Sequence, residues 1–330
     1  MSFAEVIWRT KSLVRDQLDR VAIPAGIIPS KPDFQPTSIR EFRPGFEISR
    51  NFLSLQNEIG EDQANSWRNN LIRAADSISD NHLTFFSHVN LDVGEPPNWH
   101  HDFNLQRDSS KKVIQSVNYR HVARNGDCKE VWEPNRHHQF VVLARAYSLT
   151  GDKRYADKVA ALMQSWIDSN AFATGMNWRS PLELGVRMIN WVWALELIRT
   201  SGAVSDELWG DIQLCMFRHC WDNRRKYSRG SSANNHLVGE AAGVYVAASY
   251  FQNFPKAADW ASEAKSILER EIIAQSYPDG CTREQALGYQ FFVIQFYLAC
   301  GLAGRLSAQP FSSDYWNRLS LMIKFPMRIG

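Results

Sequence analysis

The chain has 330 residues, 44% hydrophobic and 22% charged, a globular composition with apolar material for one large core or two, which excludes an intrinsically disordered protein. Its 37 Lys and Arg against 35 Asp and Glu leave a formal charge of +2, too small for a protein that holds nucleic acid by neutralising phosphates, so an anionic ligand would have to be met by a local patch. No run of about 18 apolar residues suggests a membrane span, and five scattered cysteines (Cys128, Cys215, Cys220, Cys281, Cys300) indicate neither a disulfide framework nor a metal motif.

In chain order, MSFAEVIWRTKSLVRDQLDR opens the sequence as an amphipathic, charged helix (about 3 to 21) without the apolar centre of a secretory signal. A Pro-rich irregular stretch follows (22 to 60), then a second helix (about 61 to 79), then a turn-rich segment with short strand-like runs from Asn81 to Asp127. Residues 1–130 are thus expected to form a helical and irregular wrapping segment, and residues 131–330 a helical domain. In the second part, apolar residues recur at helical spacing, as in Leu182, Val186, Ile189, Trp193 and Leu197. Helix starts are predicted near residues 135, 152, 180, 204, 234, 255, 284 and 311, with no strand-rich block between them. The fold class is therefore all-α, an array of helical hairpins. The closing run DYWNRLSLMIKFPMRIG reads as a helix with no tail beyond it, as expected of the front part of a longer protein.

In such an array every second helix starts at the same end. The helices opening with GDKRYADK, SDELWGD, PKAADWA and SSDYWNR carry the ordinary capping residues of solvent-facing starts. The alternate set opens with EPNRHHQF, NWRSPLELGVR, SSANNHLVGE and TREQALGY. It collects Asn135, Arg136, His137, His138, Asn177, Trp178, Arg179, Glu183, Asn234, Asn235, His236, Glu240, Arg283, Glu284 and Tyr289 at one end of one layer. Each has a plain structural explanation as well: Asn caps helices, Arg forms surface ion pairs, and Tyr289 fits a packed aromatic face. His137 and His138 are adjacent, so at most one lines a site, and no two-His metal motif exists. The coincidence of all four starts points to a site. Of the 12 tryptophans, Trp166, Trp191, Trp193, Trp209, Trp221 and Trp260 fit packing between layers, which leaves Trp99, Trp132 and Trp178 as platforms for sugar stacking.

Amides, imidazoles, guanidiniums and a phenol suit an anionic sugar. In β-elimination from a uronic acid, the proton on carbon 5 becomes acidic once hydrogen-bond donors neutralise the adjacent carboxylate, as an oxyanion hole does. Asn235 and His236 are the candidate donors, Tyr289 the candidate acid for the glycosidic oxygen and a candidate base, and Arg283 a cation able to lower the tyrosine's pKa. The chemistry requires no metal and no organic cofactor.

The run VWEPNRHHQFVVLARAYSLTGDKRYADKVAALMQSWI, then GMNWRSPLELGVRMINWVWAL, SSANNHLVGEAAGVYVA and DGCTREQALGYQFF, resembles in order the N-terminal helical domain of the heparinase II/III family of polysaccharide lyases, related to the oligoalginate lyases. The resemblance implies an incomplete α/α toroid, with a C-terminal antiparallel β-sandwich of the family, and any structural metal held there, not represented in this chain. It places the family's catalytic Asn on Asn235, beside His236, and its Tyr on Tyr289. Sugar contacts fall on Asn135, Arg136, His138, Asn177, Trp178 and Arg179, with Glu240 and Arg283 as further binding candidates. The implied partner is an acidic polysaccharide or oligosaccharide, and the implied location the periplasm, the cytoplasm being the alternative without a visible signal. Two other readings stand beside this one: an α/α-toroid glycoside hydrolase using two of Glu183, Glu240 and Glu284, and a glycan-binding protein without turnover.

Overall fold

Among the described residues, helix α1 (Phe3–Ala22) and helix α2 (Glu61–Ser79) precede four helical hairpins. These pair α3 (His138–Thr150) with α4 (Lys153–Ser169), α5 (Pro181–Ile198) with α6 (Asp206–Arg225), α7 (Asn235–Tyr250) with α8 (Ala257–Ala274), and α9 (Leu287–Leu306) with α10 (Ser313–Ile329). The computed structural model describes residues 3–28, 36–48 and 59–329, so part of the irregular stretch 22–60 lies outside the described residues. Every helix start predicted after residue 130 lies within three residues of the observed one.

Local chemistry sets these boundaries. Gly151, at φ +73°, ends α3 in a conformation that L side chains avoid. Asp152 then caps α4 by accepting from the Arg154 amide, and Ser205 caps α6 by accepting from that of Leu208. Helices α3, α5, α7 and α9 pack side by side as an inner layer, with α4, α6, α8 and α10 returning outside it. The tightest crossing joins α5 to α7. There a Cβ at Gly185 would overlap the Gly239 carbonyl, and one at Gly243 would overlap the Gly185 backbone, so glycine sets the spacing of the two central helices.

The core is aromatic. Trp166, Trp178, Trp191 and Trp209 are all fully buried, and truncating side chains of this size costs about 3–5 kcal/mol each. The first 130 residues do more than wrap. Helix α2 packs on α3 and α4 and so extends the array, while Phe42 and Phe46 enter the core against Trp209, Tyr250 and Trp193. The strand-like runs form two small antiparallel hairpins, β1 (His82–Phe85) with β2 (His88–Asp92), and β3 (His101–Asp102) with β4 (Arg107–Asp108). Helix α9 is long and apolar enough, by length and composition alone, to cross a membrane. It packs here as an edge helix of the inner layer, burying Val293, Phe296, Tyr297 and Cys300 and exposing Leu287, Phe291, Leu298 and Leu302.

Candidate functional site

The inner-layer helices begin at one end, and their first turns enclose a cleft of about 600 Å³. Its walls include Lys129, Trp132, Arg136, Arg179, Glu183, Asn235, His236 and Tyr289. Four of the predicted sugar-contact or catalytic positions of α3, α5 and α7 (Arg136, Arg179, Asn235, His236) and Tyr289 of α9 therefore do meet.

One wall is built from two short 3₁₀ turns, Pro134–Arg136 and Met176–Trp178, that lead into α3 and α5. The Asn135 and Asn177 side-chain amides both donate to the Trp99 carbonyl, each at 2.9 Å. From the other side Arg187 donates through Nε to the Asn135 carbonyl (3.0 Å) and through Nη2 to that of Asn177 (3.1 Å). Its Nη1 meets His219 Nε2 at 2.9 Å, while His219 Nδ1 lies 2.8 Å from the Cys215 carbonyl, a pairing satisfied when Nδ1 carries the proton. Burial pushes Arg187 down to about 10 and holds His219 well below the usual imidazole value. A buried guanidinium thus clamps both turns from behind.

In front of this clamp, Arg136 is doubly committed. It forms a bidentate pair with Glu183 (2.8 and 3.0 Å) and a further bond with Glu133 (2.8 Å). Burial opposes its charge, but Glu183 and Glu133 more than offset this and hold it protonated. The carboxylates on the cleft wall are thereby occupied. Arg179 makes no ion pair among the described residues, rests on the Tyr119 ring at 5.1 Å, and keeps its Nε buried without a partner. Lys129 is exposed and lines the same cleft. The uncommitted charges of the cleft are cationic.

The facing wall starts at α7. Asn234 is the helix cap, its side chain accepting from the His236 amide at 3.0 Å. Asn235, the next residue, is buried and donates to Glu284 through both its backbone N–H (3.0 Å) and its side-chain Nδ2 (3.0 and 2.9 Å). His236 is exposed. Desolvation at the cleft wall lowers its pKa, outweighing the opposing carboxylates of Glu183 and Glu284. Tyr289 projects from the first turn of α9 with 48% of its surface exposed.

Several predicted contacts are structural instead. Asn135 and Asn177 are buried in the brace just described, and Asn135 Oδ1 also accepts from Trp166 Nε1. Trp178 and Trp99 are buried in the core, so neither offers a face to a sugar; Trp132 is the one proposed platform that lines the cleft, its Nε1 donating to the Met176 carbonyl. Glu240 is fully buried and accepts from the Ser228 amide and hydroxyl. His137 stacks on Phe140 inside the core, and the exposed His138 lines a neighbouring depression of about 260 Å³ with Glu133. Arg283 stands over the Tyr277 ring at 5.0 Å and lines a separate cavity, so the cation beside Tyr289 expected from the sequence is missing from that position. Of two residues that the sequence reading passed over, Tyr119 comes from the turn-rich segment and Lys129 from the short helix Cys128–Trp132 that follows it, where too few residues recur for periodicity to mark the inward face.

The family model described as "Heparinase II/III N-terminus" matches residues 56–330. A heparin-sulfate lyase of Bacteroides thetaiotaomicron is 26% identical over 210 residues, covering 62% of this chain and 30% of the relative. One of Bacteroides stercoris is 26% identical over 217 residues, covering 59% and 32%. The chain therefore spans about a third of the length of these relatives. Among solved structures, heparinase III superposes with a TM-score of 0.60 at 19% identity over 77% of this chain and 38% of that one. The heparan sulfate lyase HepC of Pedobacter heparinus superposes with a TM-score of 0.58 at 19% identity over 96% and 43%. These likenesses carry the fold, an α/α toroid.

Proposed function

The chain belongs to the heparinase II/III family, and on that premise we propose that it acts as a polysaccharide lyase on an acidic, uronate-containing glycan bound in the 600 Å³ cleft. The observation that carries this reading is the meeting of Asn235, His236 and Tyr289 in a cleft whose carboxylates are tied to Arg136 and whose free charges are Arg179 and Lys129. Arg179 and Lys129 attract the polyanion. Asn235 and the neutral His236 give N–H donors to the uronate carboxylate, stabilising the enolate that forms as a base takes the proton from carbon 5. The electron pair then closes the double bond between carbons 4 and 5, the bond from carbon 4 to the glycosidic oxygen breaks, and Tyr289 donates its phenolic proton to that oxygen. The hydrolase alternative, by contrast, needs two available carboxyl groups. Glu183 is paired with Arg136, Glu240 is buried on Ser228, and Glu284 is bonded to Asn235.

The relatives' names make heparin-type sulfated chains the first substrates to try, with alginate as a comparison. Tyr289→Phe should lower release of the ultraviolet-absorbing unsaturated uronate by about 10²–10⁴-fold and leave folding unchanged. An unimpaired rate would overturn the assignment, and products without a double bond would overturn the reaction class.

A further inference from the structure

Asn235 is useful to a bound carboxylate only in one of its two amide orientations. With an N–H forward it donates; turned by 180° it presents a carbonyl, which repels an anion. The neighbour that decides between them is Glu284. An ionised carboxylate only accepts hydrogen bonds, so its two oxygens, 3.0 and 2.9 Å from Nδ2, admit the NH₂ side of the amide and refuse the carbonyl. The same carboxylate takes the Asn235 backbone N–H at 3.0 Å, which fixes the main chain as well as the side chain. An NH₂ group has two hydrogens, and holding one on Glu284 leaves the other for a ligand. Glu284 lines a cavity of about 270 Å³ distinct from the cleft, so it reaches Asn235 from outside the space a sugar would fill.

Glu284 is itself well seated. It lies in the loop between α8 and α9, where the Arg283 amide donates to the Gln275 carbonyl (2.9 Å) and the Thr282 amide to Gln290 Oε1 (2.7 Å). Gln290 in turn donates to the carbonyls of Gly280 (2.8 Å) and Met322 (2.9 Å). Gln290 is the residue after Tyr289. The loop that grips Asn235 is thus bonded to the turn of α9 that carries the phenol, and the bond from Asn235 to Glu284 sets the two groups in register. No ion pair neutralises Glu284 among the described residues, since the adjacent Arg283 stands over Tyr277.

We propose that Glu284 is the positioning residue of the cleft, orienting Asn235 so that an amide N–H faces the bound sugar carboxylate and keeping it in register with Tyr289. The proposal rests on the lyase reading of Asn235. In a double-mutant cycle on the full chain with heparan sulfate as substrate, Glu284→Leu should lower kcat about 100-fold, as a small misplacement of a reacting group does. KM should change much less than kcat, because the removed negative charge offsets what a misdirected amide loses in binding the anionic ligand. Glu284→Gln, which still accepts through its carbonyl oxygen, should recover most of the rate. In an Asn235→Ala background, Glu284→Leu should change kcat by about twofold or less. Equal losses in both backgrounds, or a loss confined to KM, would overturn the proposal. If the parent yields no unsaturated product, the functional reading fails, and the positioning role is decided separately by Asn-selective ¹⁵N spectra. The Asn235 side-chain amide pair, identified by its absence in Asn235→Ala, should move in Glu284→Leu while the other amides stay; an unmoved pair overturns the role.

Discussion

The cleft wall formed by the turns at 134–136 and 176–178 has its Asn135 and Asn177 amides and its Arg136 guanidinium bound to other protein groups, whereas on the facing wall the His236 ring and the Tyr289 hydroxyl make no hydrogen bond among the described residues. The first wall is braced twice, by the Trp99 carbonyl in front and by Arg187 behind. The second is held through Glu284 and Ser228, with its outermost groups left to solvent. A preorganised wall does not have to rearrange when a charged ligand arrives, and an unpaired wall has groups to give it. Substitutions of the bonded groups that brace the walls should therefore be read in stability, and those of the groups left unpaired in binding or rate.

Arg187→Met tests the first half of that contrast most severely. It leaves the Asn135 and Asn177 carbonyls without their buried donor, and two unsatisfied acceptors at about 1–3 kcal/mol each predict a loss of about 4 kcal/mol in urea unfolding. A loss within about 0.5 kcal/mol, the range of ordinary surface changes, would mean that the two turns hold their shape without the clamp and that the contrast between the walls is only apparent.

How far this was visible in the sequence follows the same division. Helix periodicity and capping residues marked the hairpins to within three residues, and the alternation of starts placed Arg136, Arg179, Asn235, His236 and Tyr289 together, because a helix start is a local property. Which of the polar residues at those starts face outward is not local. Asn135 and Asn177 look in sequence like Asn235, yet they are spent on the Trp99 carbonyl, some 36 and 78 residues from their bonding partner along the chain. Arg187 sits one residue after Val186 in an apolar helix and gives no sign of its role until α3 and α6 are packed around it. Arg283 fails for a related reason: a loop residue's direction depends on its turn, and this one aims at Tyr277.

The footing of the second wall should respond to pH through one buried carboxyl. Burial pushes Glu240 up to about 7 from an ordinary 4.5, against the opposing hydrogen bonds of Ser228. A carboxyl whose folded value is raised binds its proton more tightly folded than unfolded, so its contribution is present below about pH 4.5 and is lost as pH rises towards 7. The loss amounts to about 3 kcal/mol over that window. Glu240→Gln can keep both contacts with Ser228 without the charge. Relative to the parent it should gain about 3 kcal/mol between pH 5 and pH 8, measured by unfolding at both. Parallel pH curves for the two proteins would show that the buried carboxyl is not what sets this slope.

The smallest expected effect is the one that separates attraction from architecture. Arg136 and Arg179 stand on the same wall, but Arg136 is bound by two glutamates and Arg179 by none among the described residues. Arg136→Met would leave Glu183 buried and unpaired and should unfold more readily. Arg179→Met removes a charge that the fold uses only against the Tyr119 ring, so its unfolding should stay within about 1 kcal/mol of the parent. Its affinity for heparan sulfate should fall about tenfold, near 1.4 kcal/mol, and the difference should shrink as salt rises, since it arises from charge screened within about 10 Å at 0.1 M. Calorimetric titration at two salt concentrations reads both quantities. If Arg179→Met instead destabilises the protein and leaves binding intact, then its buried Nε belongs to the brace, and the cationic character of the cleft must come from Lys129 alone.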